Sequence, residues 1–182
     1  MDLLRRTKLA LASLFFIVAA ALPLAHAAGP PNEYALKAVF LYNFCRFIDW
    51  PDAAFSGPND PIVIGVLGED PFGPLLEEAV KGESFRGRSI QIARYRSVRE
   101  IGRCHLLFVA ASETARLNEI LSAVEGKSIV TVGETDGFIE RGGMIALAAD
   151  RNRVRLLINP DTLRAARLDV SSKLLRVAEI TR

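Results

Sequence analysis

The stretch from Ser128 to Asn159 constrains the fold most strongly, because it contains three short apolar runs separated by glycine-rich turns. The runs IVTV, MIALAA and VRLLI are rich in β-branched and aliphatic residues, which is typical of buried strands. Glycines at Gly133, Gly137 and Arg141-Gly142-Gly143 indicate turns that need positive φ. The connection Asp150-Arg151-Asn152 is short, and it predicts that the last two strands form an antiparallel hairpin.

Upstream of this segment, apolar strand patterns alternate with helical patterns. The predicted strands are Pro61–Leu67, Ser89–Tyr95 and His105–Ala110, and the predicted helices are Tyr34–Trp50, Phe72–Val80, Ser112–Val124, Asp161–Arg167 and Ser171–Ile180. Such alternation is typical of parallel strands joined by crossover helices. We therefore expect an α/β fold with a mixed, largely parallel sheet, flanked by helices on both faces and ending in the antiparallel hairpin.

The first residues have the three parts of a secretory signal. Arg5, Arg6 and Lys8 precede an apolar run, and Ala25-His26-Ala27 forms an A-x-A cleavage box. We therefore predict a cleaved signal peptide over 1–27, a flexible start over 28–33, and a single exported domain over 34–182 that is periplasmic. Removal of the signal takes away the formal net charge of +2, so the mature domain is near neutral and no nucleic-acid partner is expected.

The predicted first helix, YALKAVFLYNFCRFIDW, is apolar on nearly all sides. Its few polar residues, Lys37, Asn43, Arg46 and Asp49, form a narrow stripe. A helix of this kind is either deeply buried or keeps one face for a partner. The helix should stop before Pro51.

No constellation of residues points to catalysis. The turn GVLGEDPFG lacks the glycine order of a phosphate-binding loop, so a capped helix start is expected at Asp70. His105 lacks companion metal ligands and is expected to make a local hydrogen bond at a strand entry. There is no G-x-S-x-G sequence, and Ser171-Ser172 fits a helix cap. The sequence therefore predicts no enzyme activity, no metal and no cofactor.

The mature chain contains two cysteines, Cys45 and Cys104. An even number in an exported protein is compatible with a disulfide. Cys45 also lies among Leu41, Phe44 and Phe47 on an apolar helix, so two buried free thiols are the alternative. Both interpretations are open at the level of sequence.

Several motifs in fixed order resemble one known family. They are FCRFIDWP, PIVIGVLGEDPFG, CHLLFVA, SIVTVGETDGFIERGGMIAL, VRLLIN and LDVSSKLLRVA. Together they resemble the YfiR family of small periplasmic proteins over about Tyr34 to Ala178. The resemblance implies a compact, commonly homodimeric α/β protein. It also implies repression of an inner-membrane diguanylate cyclase through the sensor domain, with relief by an outer-membrane lipoprotein.

The resemblance also implies redox-sensitive disulfides in the family, and here the chain departs from the pattern. Many members have a cysteine in the first strand, where this chain has Ile62–Val66, and the segment around Gly143 lacks a second cysteine pair. Only Cys45 could bridge Cys104.

The features above predict a regulatory binding protein that docks on the periplasmic domain of an inner-membrane diguanylate cyclase or sensor kinase and represses it. The alternative is a small-ligand-binding protein with a pocket at the carboxyl ends of the strands. A candidate partner surface consists of apolar residues from the first helix and the C-terminal region, for which core packing is the alternative explanation. These residues are Phe40, Phe47, Leu168, Val170 and Leu174.

Overall fold

The computed structural model describes residues 31–151 and 153–181. The predicted signal peptide over 1–27 lies outside the described residues, as does the first half of the predicted flexible segment over 28–33. The second half of that segment is helical, because the first helix spans Pro31–Phe47.

The structure contains helices on both sides of a central sheet. Helices α1 to α5 span Pro31–Phe47, Leu75–Val80, Leu117–Val124, Pro160–Ala165 and Ser172–Leu175. Strands β1 to β10 span Ile48–Asp49, Ile62–Leu67, Ser84–Phe85, Arg88–Tyr95, Leu106–Val109, Val130–Gly133, Ile145–Asp150, Arg153–Ile158, Asp169–Val170 and Glu179–Ile180. Short 3-10 helices span Asp52–Ala54, Val98–Glu100 and Ala111–Arg116.

Eight strands form the main sheet in the order β10-β8-β7-β6-β5-β2-β4-β3. The five strands from β4 to β7 in this order are parallel to their neighbours, and they have the strand order of doubly wound folds. Strand β8 pairs antiparallel with β7 through the predicted hairpin, and β10 is parallel to β8. The predicted fold class is therefore confirmed.

Alternate residues of the central strands contribute to two separate cores. On the first face of the sheet, Ile64 and Val66 of β2 pack with residues of α1 and α2. On the second face, Leu67 packs with α3 and with Phe138 and Ile139 of the loop after β6. Both faces are covered, so the central strands are buried along their full length, as the continuous apolar runs predict.

Two helix predictions are wrong at their C-terminal ends. Helix α1 stops at Phe47 instead of Trp50, because Ile48–Asp49 pairs antiparallel with Asp169–Val170 as β1 and β9. The predicted helix Ser171–Ile180 is helical only to Leu175, and Glu179–Ile180 joins the edge of the main sheet. In both places strand pairing with a segment distant in sequence replaces local helix formation, and sequence periodicity does not report such pairing.

The loop after β6 is fixed by one aromatic ring. A Cβ atom added at Gly133 would lie 2.2 Å from Cδ2 of Phe138, and one added at Gly143 would lie 2.2 Å from Cδ1. The ring therefore lies between two glycine backbones, one at each edge. Gly137 and Gly142 have the predicted positive φ, whereas Gly133 and Gly143 do not, so these two glycines are required for space instead of turn geometry.

Candidate functional site

The structure divides the predicted partner surface into partly exposed and buried members. Leu168 and Leu174 are buried in the core of the first face, so neither is available to a partner and this part of the prediction is wrong. Phe40, Phe47 and Val170 are partly buried against the same core. Core packing, the alternative considered for this set, accounts for the two leucines.

The end of α1 and the C-terminal region do lie together. The Ser171 N–H donates a hydrogen bond to the Phe47 carbonyl oxygen at 2.8 Å, and Ile48 is paired with Val170 in the small sheet. The sequence therefore selected two segments that meet in space, although it did not identify which side chains are outside.

Helix α1 carries the exposed apolar residues that sequence analysis missed. Its inner side packs on the sheet through Ala38, Leu41 and Phe44. On its outer side, Leu36 is 41% exposed and Val39 is 45% exposed. The apolar pattern around the whole helix contained this signal, but it could not separate the inner side from the outer side. We call Leu36, Val39 and Phe40 the α1 outer face, since residues three and four apart are neighbours on a helix.

Lys37 anchors α1 to the sheet. The sequence placed Lys37 in the narrow polar stripe of the helix, and in the structure it is only 2% exposed. Its Nζ lies 2.6 Å from Glu33 Oε1 and 2.7 Å from Glu134 Oε2, and it lies 4.8 Å from the Tyr34 ring centroid. Burial lowers the pKa of Lys37, but the hydrogen bonds to Glu134 and Glu33 outweigh it, so the pKa is raised. Lys37 is therefore a charged, paired group inside the protein.

The carboxyl ends of β2 and β5 form the crevice where doubly wound sheets commonly bind ligands. In this protein a side chain connects the two loops at this crevice. The Glu69 N–H donates a hydrogen bond to Ser112 Oγ at 2.9 Å, and a Cβ atom at Gly68 would lie 2.5 Å from the same oxygen. At the predicted location of a ligand pocket, the loops after β2 and β5 are therefore joined by the exposed Ser112 side chain.

The turn after β2 is held by an arginine and not by a phosphate-type site. Arg94 Nε donates to Asp70 Oδ2 at 2.7 Å, and its Nη1 donates to Glu77 Oε1 at 2.6 Å. Asp70 accepts a hydrogen bond from the Phe72 N–H, but α2 begins only at Leu75, so the predicted helix cap is a turn. The hydrogen bond between Arg94 and Glu77 lowers the pKa of Glu77 and raises the pKa of Arg94. Two carboxylates at this position leave no electrostatic preference for an anion.

The two cysteines are free and buried in different cores. Cys45 packs on the first face of the sheet, and Cys104 packs on the second face. Burial raises the pKa of each thiol to about 12. The bridge that the sequence left open is absent from the structure, and the alternative of two buried free thiols describes the pair.

His105 makes the local hydrogen bond expected of it. Its Nδ1 accepts from the Val63 N–H at 3.0 Å, and its carbonyl oxygen accepts from Trp50 Nε1 at 3.0 Å. Burial, followed by the nearby charges of Arg103 and Arg88, lowers the pKa of His105. The imidazole is therefore a neutral structural group that joins two strands.

Neither a metal centre nor a membrane span is found in the part of the chain that the structure describes. Within 31–151 and 153–181, no group of three or more His, Cys, Asp and Glu residues could hold a metal ion. In the same ranges, no helix is long and apolar enough to cross a membrane.

Comparison with known proteins places these features in context. The family described as YfiR/HmsC-like matches residues 34–179. No curated protein matches the chain. The crystal structure of a conserved domain protein from Vibrio cholerae is similar with a TM-score of 0.52 at 12% sequence identity, over 66% of this chain. This chain spans only 54% of the length of that structure, and the likeness concerns the fold alone.

Proposed function

We propose, since this chain belongs to the YfiR/HmsC-like family, that it is an exported regulatory binding protein of the periplasm. In this proposal it docks on the periplasmic domain of an inner-membrane signalling protein, a diguanylate cyclase or a sensor kinase, and represses it. The observation that carries the proposal is the α1 outer face, where Leu36 and Val39 remain exposed on a helix whose other side is fully packed.

Two properties of α1 make its outer face suitable for docking. The helix is held rigidly by the buried ion pair between Lys37 and Glu134, so binding costs little conformational entropy in the helix backbone. Adjacent exposed aliphatic residues supply the apolar contact area that interface cores use. Helix-in-groove recognition uses anchors spaced three and four residues apart, as Leu36, Val39 and Phe40 are.

The experiment that tests the proposal measures cyclic-di-GMP and surface attachment in cells that lack the gene. We expect both to rise on deletion and to fall again when the wild-type gene is restored. The double variant Leu36→Glu/Val39→Glu should fail to restore repression, because two buried charges oppose docking. The matched control is Ala115→Glu/Ala123→Glu, which adds the same charge at exposed positions on the α3 side and should restore repression.

Different outcomes contradict different parts of the proposal. If deletion changes neither cyclic-di-GMP nor attachment, repression of a diguanylate cyclase is wrong, and a sensor kinase output would be measured in its place. If deletion raises cyclic-di-GMP but the Leu36→Glu/Val39→Glu protein represses normally, the regulatory role stands and the assignment of the α1 outer face is wrong. Equal thermal unfolding of both variants is required for either conclusion.

We also propose that the protein is a homodimer and that an outer-membrane lipoprotein relieves its repression by competing for the partner. The short edge strand β10 favours self-association, because Val177 is 72% exposed and Ile180 is 49% exposed beside an open sheet edge. Light scattering should therefore give the mass of a dimer, and Val177→Asp/Ile180→Asp should give that of a monomer. A monomeric wild-type protein would contradict the proposal.

A further inference from the structure

A cavity of about 730 Å³ lies between α3, which packs on the second face of the sheet, and Met144 and Ala166, which belong to the core of the first face. One wall consists of α3 residues, and the opposite wall consists of α4 and the residues before β7. The volume falls within the range of small-molecule sites. The cavity is separate from the crevice at Ser112 and from the α1 outer face, because none of Ser112, Leu36, Val39 and Phe40 is among its lining residues. A ligand site in this cavity is therefore independent of the proposed docking role.

The cavity lining is mixed, and besides Arg141 its polar residues are Asn118, Ser122, Glu125, Thr131 and Thr162. Its apolar lining residues are Leu121, Val124, Met144, Ala165 and Ala166. Thr131, at 1% exposure, accepts a hydrogen bond from the Met144 N–H at 3.1 Å. Among the described residues no acceptor is found for its hydroxyl hydrogen. A buried hydroxyl of this kind has one hydrogen-bonding direction left for a bound molecule.

Arg141 supplies the positive charge of the cavity. Its Nε donates to Asn118 Oδ1 at 2.8 Å, and its Nη1 donates to the Thr114 carbonyl oxygen at 3.1 Å. Both partners are neutral, and Arg141 forms no ion pair with any residue that the structure describes. Arg94 and Arg103, in contrast, are each paired with a carboxylate. The guanidinium of Arg141 therefore keeps Nη2 without a protein partner at the cavity wall, which Glu125 also lines without pairing to it.

The position of Arg141 is fixed by the loop that carries it. Phe138, three residues earlier, is held between Gly133 and Gly143, and the Gly142 N–H donates to the Ile139 carbonyl oxygen at 2.9 Å. The Arg141 N–H in turn donates to the Gly137 carbonyl oxygen at 3.1 Å. A charge held in this way is already oriented before a ligand binds, which reduces the entropic cost of binding.

We propose that this cavity binds a small organic monocarboxylate with an apolar body. The carboxylate accepts hydrogen bonds from Nη2 and the second Nη1 proton of Arg141, and the apolar body lies against Leu121, Val124 and Met144. Charge-assisted bonds of this kind are stronger than neutral ones. The Arg-Gly-Gly sequence before β7 is thus a ligand-binding feature in addition to its part in the loop.

Calorimetric titration with benzoate and octanoate tests this proposal, with benzamide and octanamide as neutral probes of matched shape. We expect at least one carboxylate to bind in the millimolar range or better, and its amide to bind about tenfold more weakly or not at all. Arg141→Gln should weaken carboxylate binding about tenfold. Arg116→Gln is the matched control, because Arg116 lies near α3 but is paired with Glu113 and Glu119 outside the cavity.

A second variant locates the apolar part of the site. Ala165→Phe places a ring at the exposed rim of the cavity and should block binding while leaving Arg141 and the unfolding temperature unchanged. The proposal is overturned if neither carboxylate binds, if carboxylate and amide bind equally, or if Arg141→Gln binds like the wild type. Retained binding in Ala165→Phe would place the anion elsewhere and would also overturn it.

Discussion

Replacement of Gly133 by alanine gives the most specific test of how this fold is held together. Gly133 ends β6, and a Cβ atom there would lie 2.2 Å from Cδ2 and 2.3 Å from Cε2 of Phe138. Ordinary carbon contacts are about 3.5–4.0 Å, so the ring would have to move by more than an ångström. Movement in the opposite direction is blocked by the Gly143 backbone at the other edge of the ring.

Two limits bound the free energy of unfolding that Gly133→Ala should remove. Forcing an extra methyl group into a packed core costs about 1–3 kcal/mol. If the ring leaves its site completely, the loss approaches that of Phe138→Ala, about 3–5 kcal/mol. Phe138 is buried and confined on both sides, so we expect Gly133→Ala to lower the free energy of unfolding by about 3 kcal/mol.

Urea unfolding followed by the fluorescence of Trp50, the single tryptophan, measures this free energy. The indole N–H of Trp50 is hydrogen-bonded to the His105 carbonyl oxygen, so its environment changes on unfolding. Gly102→Ala is the matched control, because no atom lies within 4 Å of a Cβ at Gly102 and its φ lies outside the left-handed region. Its effect should stay within about 0.5 kcal/mol.

A double-mutant cycle distinguishes the steric explanation from others. In a Phe138→Ala background the methyl group of Gly133→Ala meets no aromatic ring. The substitution should then stabilise the folded protein by about 0.4–1 kcal/mol, because alanine reduces the flexibility of the unfolded chain. The effect of Gly133→Ala should therefore change sign. Equal destabilisation in both backgrounds would refute the argument that Phe138 requires the glycine.

Two further predictions concern buried polar groups. Lys37→Met should destabilise the folded protein by about 3–5 kcal/mol, because it leaves the buried Glu134 carboxylate without its partner. Adding Glu134→Gln should recover part of this loss. No recovery in thermal or urea unfolding would contradict the pairing. The pKa of His105 is lowered in the folded state. Its contribution to stability is therefore fully present above the unfolded pKa of about 6.5. As the pH falls from there through the folded pKa, the unfolded state binds the proton more readily and this contribution is lost. Wild-type protein should therefore lose more stability between neutral and mildly acidic pH than His105→Gln, and equal losses would show that this histidine is not the titrating group.

The sequence predicted the sheet more accurately than the site. The runs IVTV, MIALAA and VRLLI are β6, β7 and β8 as expected, because buried strands and short hairpins carry strong local patterns. The sequence placed Lys37 in a polar stripe but did not predict its buried ion pair, because its partner Glu134 is distant in sequence and a buried lysine is rare. Leu168 and Leu174 were assigned to the partner surface for a similar reason, since an apolar residue in a short C-terminal element has no local signal for which way it faces.

The cavity beside Arg141 was also outside the reach of sequence analysis. The Arg-Gly-Gly sequence was visible, but its side-chain environment depends on Asn118 and Thr114 in another segment. Glycine patterns indicate turns directly, whereas the space that Gly133 and Gly143 leave for Phe138 becomes evident only in three dimensions.

The pairing of Ile48 with Val170 in the small sheet has a consequence for the order of folding. Helix α1 and the adjoining Ile48 are synthesised early among the described segments, yet the ion-pair partner Glu134 and the strand partner Val170 come much later. Contacts of this range form slowly, since the intervening chain must first be brought together. During that interval the apolar sides of α1 remain uncovered, and exposed apolar surface of this kind promotes aggregation.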